Sequence, residues 1–425
     1  MLNDTKIFKF GGGSVQNASG VRQLENIIRQ HGDTPLVVII SAIGKTTNLL
    51  ESIISVYRKN DAAELDTLLV RLQHNHYDIA QELLPNNPVL QKTLSDIFSQ
   101  LDRQLTISSS NDYDYDYDRI VSFGELLSTT LISAYLNLNN LANEWLDARM
   151  LIRTDNSFRE AHVDWKTTTP TIKNRIDSVV QEKNTKLFIT QGFIGGTSDG
   201  QTATLGREGS DYTAAVFGFA LQASEVVIWK DVPGLFNADP KIFPEAVKLE
   251  EIPYEEAIEL SYYGASIIHP KTLKPLQNKQ IPLYVKPFFN PEEAGSLISS
   301  STLKNSVPSF IFKKNQILIS IFPKDFSFIA VQNLSEIFHI LSKHRLKINL
   351  MQNSALSFSI CVDNVGERVD AALRELKQKY KIKYNDNVEL ATIRHYTEEL
   401  LVGITQGKEV LIEQKNRTTV QVITT

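Results

Sequence analysis

Two glycine-rich segments, each placed directly after a short apolar run, constrain the fold of this chain more than any other feature. The first, KFGGGSV, occupies residues 9–15, and the second runs from Ile189 to Val216 through a Gly- and Thr-rich loop into a helical pattern. Glycines in such loops let the backbone approach a phosphate closely and donate N–H groups to it. Parallel strands end at a common sheet edge, where ligands bind. The sequence therefore predicts an α/β fold with phosphate chemistry on a small carboxylate at that edge.

Short apolar runs alternate with helical patterns in residues 1–300, which we take as a catalytic domain. The runs at 6–10, 36–40, 187–190 and 225–229 are typical of buried parallel strands. This alternation predicts a mostly parallel central sheet sandwiched by helices. The main predicted helices lie at 48–57, 64–84, 89–105, 123–138 and 211–221.

The pattern changes in the last third of the chain. Pro, Gly and Ser accumulate near 290–309, and we predict a linker at 301–315. Residues 316–387 then follow a β-α-β-β-α-β order, which indicates a ferredoxin-like α+β module. Residues 388–425 are predicted to form a second, shorter module that contains a hairpin.

Composition and charge exclude several classes of protein. The net charge of −5 and the absence of a Lys/Arg block give no reason to expect nucleic acid as a partner. A single cysteine, Cys361, excludes an intrachain disulfide framework and favours a cytoplasmic location. The N-terminal residues do not resemble a signal peptide. The longest apolar run, at 36–43, is too short to span a membrane.

One segment is low in complexity: SSSNDYDYDYDR, at residues 108–119. We interpret it as a solvated acidic loop rather than as an exposed strand. A metal site formed by its aspartates is disfavoured, because the glycine and the distal glutamate of an EF-hand are missing. The aspartates concerned are Asp112, Asp114, Asp116 and Asp118.

Several polar residues near the glycine segments could bind an anionic or zwitterionic ligand, although each has a plainer interpretation. Lys9 could follow a phosphoryl group or lie outside a tight turn. Ser41 and Thr47 could bind a carboxylate or phosphate, or Thr46 or Thr47 could simply cap a helix. Glu125 could bind an ammonium group or be an exposed first-turn glutamate. Ser210 and Asp211 could cap their helix, and Arg207 could be a surface arginine; the conjunction with nearby glycines favours a site.

The ordered motifs KFGGGSV, SFGEL, ITQGFIG, TLGREGSDYTAA, DVPGLFNADP and GASIIHPKTL resemble the aspartate kinase branch of the amino acid kinase family. The resemblance extends from Lys6 to about Ile298. The C-terminal third is similar to the paired ACT regulatory modules of the same enzymes.

The resemblance implies that ATP, with Mg²⁺ carried by the nucleotide and no metal held by the protein, phosphorylates the β-carboxylate of L-aspartate. The product would be 4-phospho-L-aspartate, which opens the biosynthesis of lysine, threonine and methionine. No general base is needed, because a carboxylate is already ionised. By motif match, Lys9 and Asp211 would be catalytic. The residues implied to contact ATP are Lys9, Gly11, Gly12, Lys230, Asp231, Phe236, Lys241 and Ser266, and those implied to contact aspartate are Ser41, Thr47, Glu125, Phe193, Arg207, Ser210 and Asp211.

Four positions depart from the family pattern. Gly13 replaces a threonine, Phe236 replaces a tyrosine and Lys241 replaces an arginine. Ser266 replaces a lysine expected near the ATP phosphates, and Lys230 is a candidate to compensate for that cation. The alternatives left open are a glutamate or N-acetylglutamate kinase, and a catalytically weak amino acid sensor.

The ACT resemblance implies an amino acid effector and at least a homodimer, because such modules usually pair across subunits. Lysine-sensitive relatives tend to carry acidic residues where this chain has Asn349 and Ala355. We therefore predict weak or altered inhibition by lysine. Lysine, threonine or no effector all stay open.

Overall fold

The chain forms two compact units in the computed structural model, which describes residues 4–32, 34–265, 268–301, 307–325 and 327–425. The first unit comprises Met1–Leu235, Lys248–Ile258 and Ile267–Thr302. The second comprises Phe236–Val247, Glu259–Ser266 and Leu303–Thr425.

The helices begin where local chemistry favours a helix start. The side chain of Asn17 accepts a hydrogen bond from the N–H of Gly20, and Asn87 caps a helix that opens with Pro88. None of the described helices combines the length and the apolar character needed to cross a lipid bilayer. In chain order the helices are α1 (Ala18–His31), α2 (Thr46–Lys59), α3 (Ala62–Leu83), α4 (Pro88–Thr106), α5 (Tyr113–Val121), α6 (Phe123–Leu138), α7 (Ala148–Leu151), α8 (Trp165–Lys183), α9 (Gly209–Leu221), α10 (Tyr254–Tyr263), α11 (Pro270–Lys279), α12 (Val331–Lys343), α13 (Glu367–Lys379) and α14 (Glu398–Thr405).

The strands of the first unit are mostly short and buried. In chain order the strands are β1 (Lys6–Phe10), β2 (Leu36–Ile40), β3 (Glu144–Leu146), β4 (Arg153–Thr154), β5 (Leu187–Gln191), β6 (Ile194–Thr197), β7 (Thr202–Thr204), β8 (Glu225–Lys230), β9 (Leu235–Phe236), β10 (Lys248–Leu249), β11 (Glu251–Pro253), β12 (Leu283–Pro287), β13 (Ser296–Ser299), β14 (Ser309–Pro323), β15 (Ile348–Asn353), β16 (Phe358–Asp363), β17 (Tyr380–Arg394), β18 (Val410–Lys415) and β19 (Thr419–Thr424).

An eight-stranded sheet forms the centre of the first unit, in the order β11-β13-β12-β8-β1-β2-β5-β3. Every described pairing in it is parallel except that of β12 with β13. Phe10 pairs with Ile40 on one side and with Trp229 on the other, so β1, β2 and β8 end almost level. The glycine cluster after β1 and the loop after β2 therefore leave the sheet at the same edge. This confirms the predicted mostly parallel α/β fold.

The second unit contains a six-stranded sheet in the order β15-β16-β14-β17-β19-β18, with antiparallel pairing throughout its described registers. Its first four strands, with α12 and α13, have the ferredoxin-like order predicted from the sequence. The apolar faces of α12 and α13 pack on β14 and β16 through residues such as Ile337, Leu341 and Leu376.

The structure differs from the predicted domain boundaries at two points. Strand β14 begins at Ser309, so the predicted linker at 301–315 is wrong from that residue on; residues 302–306 of it lie outside the described residues. The predicted boundary at 387/388 falls inside β17, which is 15 residues long and pairs with β14 and with β19. Strand pairing thus continues across the boundary, and the two modules share one sheet.

The prediction of a solvated loop at 108–119 is also wrong. Residues Tyr113–Val121 form helix α5, capped by Asp112, whose side chain accepts from the N–H groups of Asp114 and Tyr115. Asp116 is fully buried and pairs with Arg58 and Arg119. Alternation of Asp and Tyr suggested exposure, but tertiary ion pairs and aromatic packing bury one face of this segment.

Candidate active site

Lys9 and Lys230 flank the carboxylate of Asp211 at the carboxyl ends of β1 and β8. Lys9 Nζ lies 2.7 Å from Asp211 Oδ1, and Lys230 Nζ lies 3.8 Å from Oδ2. Lys9 and Asp211 are buried, with exposed fractions of 8% and 3%. Burial alone would raise the pKa of Asp211, but the charges of Lys9 and Lys230 outweigh it and the pKa lies below its usual value. The cluster therefore carries a net positive charge at the sheet edge.

Glu125 is a second buried carboxylate at this edge, in the first turn of α6. Its Oε1 accepts a hydrogen bond from the N–H of Ala42 at 3.2 Å, while Oε2 is buried and has no partner among the described residues. Burial raises the pKa of Glu125 to about 8, although the Ala42 hydrogen bond and Lys9 oppose this rise. The alternative of an exposed first-turn glutamate is therefore wrong. A buried carboxylate with an open oxygen is suited to a cation that arrives with a ligand.

The glycine cluster after β1 packs against the loop after β2. A Cβ atom at Gly12 would lie 2.5 Å from the carbonyl oxygen of Ala42, and the N–H of Gly44 donates to the Gly12 carbonyl at 3.0 Å. A Cβ at Gly11 would lie 3.5 Å from Lys9 Nζ, whereas one at Gly13 would meet nothing within 4 Å. Close backbone approach is thus required at Gly12, and Gly13 leaves room for a side chain.

The start of α9 packs tightly on the turn after β5. A Cβ at Gly192 would lie 2.5 Å from Ser210 Oγ, so only glycine lets this turn approach the helix. Phe193 has a φ of 70°, and its N–H donates to Thr213 Oγ1 at 3.0 Å. These contacts place Ser210 and Asp211 in the first turn of α9, with Phe193 beside them. Capping is not the role of Ser210 or Asp211, because the N-cap residue is Glu208.

The remaining candidates for contact with an amino acid ligand lie around these elements. Ser41 follows β2 directly; its N–H donates to the Phe10 carbonyl at 3.1 Å, and its carbonyl accepts from Ser128 Oγ at 2.9 Å. Thr47 lies in the first turn of α2, whose N-cap residue is Lys45, without a side-chain cap. Capping by Thr46 or Thr47 is therefore not observed. Arg207 lies between β7 and α9, is exposed, and has no ion-pair partner among the described residues.

Similarity to known proteins establishes the family of this chain. The model of the amino acid kinase family matches residues 4–287. Aspartokinase of Chlamydia pneumoniae is 30% identical over 373 residues, with coverage of 86% of this chain and 80% of that protein. The chain belongs to the aspartokinases of the amino acid kinase family.

Two further likenesses cover nearly the whole length of this aspartokinase. Lysine-sensitive aspartokinase 3 of Escherichia coli K12 is 29% identical over 419 residues, with coverage of 96% of this chain and 90% of that protein. The solved structure of Escherichia coli aspartokinase III with aspartate and ADP, described as the R-state, has a TM-score of 0.83 at 26% identity. It covers 99% of this chain and 96% of the other.

The residues predicted to contact ATP in this aspartokinase are distributed over both units. Asp231 follows β8 in the first unit and is exposed, next to Lys230. Phe236, half-buried, and Lys241, exposed, belong to the second unit. Ser266 lies outside the described residues. The structure thus brings Lys230 and the glycine cluster to one sheet edge, and the positions of the other predicted ATP contacts are not tested by it.

Lys271 is a cation at this site that the sequence reasoning missed. It lies in the first turn of α11, and its Nζ donates to the carbonyl of Leu205 at 2.7 Å. Burial lowers the pKa of Lys271, and the negative charges of Glu160, Glu208 and Asp211 oppose this. Lys271 belongs to the motif GASIIHPKTL, five residues after Ser266, so the motif itself was the signal that could have identified it.

Proposed function

We propose that this aspartokinase transfers the γ-phosphate of ATP to the β-carboxylate of L-aspartate, giving 4-phospho-L-aspartate and ADP. The observation that carries the proposal is Glu125. Its buried carboxylate has an open oxygen, in a site whose other charged groups form a net positive cluster. An α-amino acid supplies the ammonium that Glu125 lacks, and it also supplies carboxylates for the cations. The reaction is the first step towards lysine, threonine and methionine.

The roles of the aspartate-binding residues follow from this arrangement of one buried carboxylate and a net positive cluster. Glu125, helped by Asp211, holds the α-ammonium, and Arg207 binds the α-carboxylate in a bidentate pair. Four residues from the turns and helix starts at the same edge contribute further contacts with the substrate, namely Ser41, Thr47, Phe193 and Ser210.

Lys9 neutralises the charge that develops on the transferring phosphoryl group, while Gly11 and Gly12 provide backbone approach to it. The low pKa of Asp211 keeps that carboxylate ionised, and it forms an ion pair with Lys9 at 2.7 Å. No general base is required, because the attacking carboxylate is already ionised at neutral pH. Positioning and charge neutralisation therefore account for catalysis.

By motif match, ATP is proposed to contact Lys230, Asp231, Phe236, Lys241 and Ser266. Mg²⁺ would be carried by the nucleotide phosphates, where it supplies further neutralisation of their charge. The described residues contain no group of three or more His, Cys, Asp or Glu side chains that could hold a metal ion.

Trapping of the acyl phosphate tests the reaction directly. The protein is incubated with ATP, Mg²⁺ and L-aspartate in the presence of hydroxylamine, with L-glutamate and N-acetyl-L-glutamate as parallel substrates. Hydroxamate from aspartate alone is the expected result. Hydroxamate from glutamate or N-acetylglutamate instead would assign a different acyl-phosphate kinase. No hydroxamate from a folded sample, with Arg207→Ala indistinguishable from the parent, would indicate an amino acid sensor.

Lys230 is proposed to supply the phosphate-side cation that the family pattern places at residue 266. Its Nζ already lies 3.8 Å from Asp211 Oδ2, within the same cluster as Lys9. Lys230→Ala should therefore raise the KM for ATP or lower kcat. The matched control is Lys6→Ala at the other end of β1, where Lys6 pairs with Glu225. If Lys230→Ala leaves both constants at the parent values, Lys230 does not compensate.

Regulation, assembly and location form a separate part of the proposal. The ferredoxin-like second unit is proposed to contain ACT modules that pair across subunits, so that the protein is at least a homodimer. An amino acid is the proposed effector class. A cytoplasmic location is proposed because the single cysteine, Cys361, is buried and leaves no intrachain disulfide.

A further inference from the structure

Asp118 is a fully buried carboxylate in α5 that the proposed mechanism does not use. Its Oδ2 accepts from the N–H of Thr204 at 2.6 Å and from the N–H of Arg159 at 2.9 Å. Its Oδ1 accepts from the Thr204 hydroxyl at 2.7 Å. Two backbone donors and one side-chain donor from separate segments thus converge on one side chain.

On one side, Asp118 holds the segment that carries Arg207. Thr204 is the last residue of β7, and Arg207 follows it in the loop before α9. The loop at 159–161 packs on the same segment: the N–H of Ala161 donates to the Thr204 carbonyl at 3.0 Å. A Cβ at Gly206 would lie 3.0 Å from the Arg159 carbonyl oxygen. The position of the Arg207 loop therefore depends on partners of Asp118.

On the other side, Asp118 is joined rigidly to Glu125. Helix α5 ends at Val121 and α6 begins at Phe123, with Ser122 between them. The Ser122 hydroxyl donates to the Arg119 carbonyl at 3.2 Å, and the N–H of Leu126 donates to the Ser122 carbonyl at 3.2 Å. This helix corner is buried, so Asp118 and Glu125 keep a fixed relation.

We propose that Asp118 is a positioning residue that fixes the Arg207 loop relative to Glu125 and thereby sets the affinity for aspartate without touching it. The inference rests on the proposed function, in which Arg207 and Glu125 hold the two charged groups on the substrate's α-carbon. A carboxylate that accepts three donors from two segments ties those segments together, as a shape-matched apolar residue could not.

The energetics agree with a structural use of the charge. Burial raises the pKa of Asp118 to about 6, against the opposing effect of its hydrogen bonds from Arg159 and Thr204. The group is therefore ionised at neutral pH and accepts all of these bonds. Removal of the carboxylate leaves the N–H groups of Thr204 and Arg159 without their acceptor. The resulting loss of stability falls on the segment that carries Arg207.

Steady-state kinetics of two variants test the proposal. Asp118→Ala should raise the KM for aspartate about tenfold or more and change kcat by less than about threefold, because ground-state and transition-state binding are weakened alike. The KM for ATP should stay at the parent value. Asp118→Asn should restore the KM for aspartate, because its amide oxygen can accept from both backbone N–H groups and its NH₂ group can donate to the Thr204 hydroxyl.

The matched control is Asp112→Ala, which removes the N-cap of the same helix, where the Asp112 side chain accepts from the N–H groups of Asp114 and Tyr115. This variant should lose stability and keep the parent KM. An unchanged KM in Asp118→Ala, a loss confined to kcat, or an equal KM rise in Asp112→Ala would each overturn the proposal.

Hydrogen exchange separates this inference from the proposed function. Amides at 204–209 should exchange faster in Asp118→Ala than in the parent and in Asp112→Ala, whether or not aspartate is the substrate. If the parent forms no aspartyl hydroxamate but this segment is loosened, the proposed function fails and the positioning role stands. Unchanged exchange at 204–209 in Asp118→Ala overturns the positioning role even in an active enzyme.

Discussion

At the scale of single residues, the burial of Glu125 lowers the stability of the ligand-free protein. Its carboxylate is buried with one oxygen unpaired among the described residues, and burial raises its pKa from the usual 4.5 to about 8. The folded state keeps this proton in a pH range where the unfolded state has already lost it. Stability in the absence of ligand therefore decreases as the pH rises from about 4.5 to about 8.

Glu125→Gln should separate the effect of Glu125 on stability from its effect on aspartate binding. Because glutamine carries no charge to desolvate, the ligand-free variant should have a higher Tm than the parent at pH 8 and a smaller decrease in Tm between pH 5 and pH 8. The KM for aspartate should rise about 100-fold or more, since the substrate ammonium loses a buried charged partner. A variant with parent-like KM would show that Glu125 does not bind the ammonium. Differential scanning fluorimetry and initial-rate kinetics provide both readouts.

The adjacent Gly12 and Gly13 give a matched pair of positions for testing the glycine cluster after β1. Gly12→Ala should destabilise the protein by about 1–3 kcal/mol and abolish most activity, because the new Cβ would lie 2.5 Å from the Ala42 carbonyl oxygen. Gly13→Ala should stay within about 0.5 kcal/mol of the parent, because the position is open. Denaturant unfolding and turnover would measure this pair. Equal effects of the two substitutions would contradict the close approach at Gly12.

Residues within sequence motifs could be predicted, and residues that act through tertiary contacts could not. Lys9 and Asp211 are far apart in sequence, yet each follows a recognisable pattern, and the structure places them in an ion pair. Asp118 has no comparable signal, and although Gly192 lies in the motif ITQGFIG, the motif does not say what requires glycine there. The need for glycine at 192 appears only when Ser210 packs on it, and the role of Asp118 appears only when Thr204 reaches it.

At the scale of elements, helix α3 contains a titratable group that the sequence pattern does not reveal. His76 is fully buried; its Nδ1 lies 2.8 Å from the Leu72 carbonyl oxygen, and its ring packs edge-on against Phe98 of α4 at 5.9 Å between centroids. Burial lowers the pKa of His76 to about 4, although the hydrogen bond to Leu72 opposes this. The folded state therefore contains a neutral imidazole.

Acidification should weaken the packing of α3 for this reason. As the pH falls from about 6.5 to about 4, the unfolded chain binds a proton on His76 that the folded chain does not, so stability decreases over that window. At pH 5 this amounts to about 2 kcal/mol relative to pH 7. His76→Gln should therefore remove about 2 kcal/mol of the decrease in unfolding free energy between pH 7 and pH 5. An identical slope in parent and variant would mean that His76 is not the titrating group.

Element type and bounds were predictable where periodicity was strong, and they were not predictable where tertiary contacts determine them. The apolar helix α6 and the strands β1 and β2 have the predicted bounds, because burial on their faces leaves a regular pattern. Helix α5 was predicted as a loop, since its buried aspartates resemble exposed ones until Arg58 and Arg119 pair with Asp116. Strand β14 begins inside the predicted linker and β17 crosses the predicted boundary at 387/388, because their pairing partners come from both modules.

At the scale of the whole molecule, the second unit bears on the response to lysine. The side chain of Asn349 is paired within the chain: its Oδ1 accepts from Lys313 Nζ at 2.8 Å, and its Nδ2 donates to Gln316 and Asp363 at 2.7 and 3.0 Å. The ammonium of Lys313 thus lies beside Asn349, the position at which the family resemblance predicts an acidic residue in lysine-sensitive enzymes.

Saturating L-lysine should therefore cause little inhibition of hydroxamate formation. Light scattering of the same sample should give at least a dimer, if the modules pair across subunits as proposed. L-Threonine and a sample without effector serve as controls for the assay. Strong inhibition at physiological lysine concentrations would contradict the prediction, and a monomeric mass would contradict the proposed assembly.

The position of β1 in the central sheet has a consequence for how the protein is made. Strand β1 is synthesised before β8, which begins at Glu225, yet it pairs with β8, and β8 in turn pairs with β12, which ends at Pro287. A nascent chain that lacks these later strands exposes one edge of an apolar parallel strand pair to solvent. Most of the first unit is therefore expected to fold only after β8 and β12 have left the ribosome. Chaperones that shield strand edges should increase its yield.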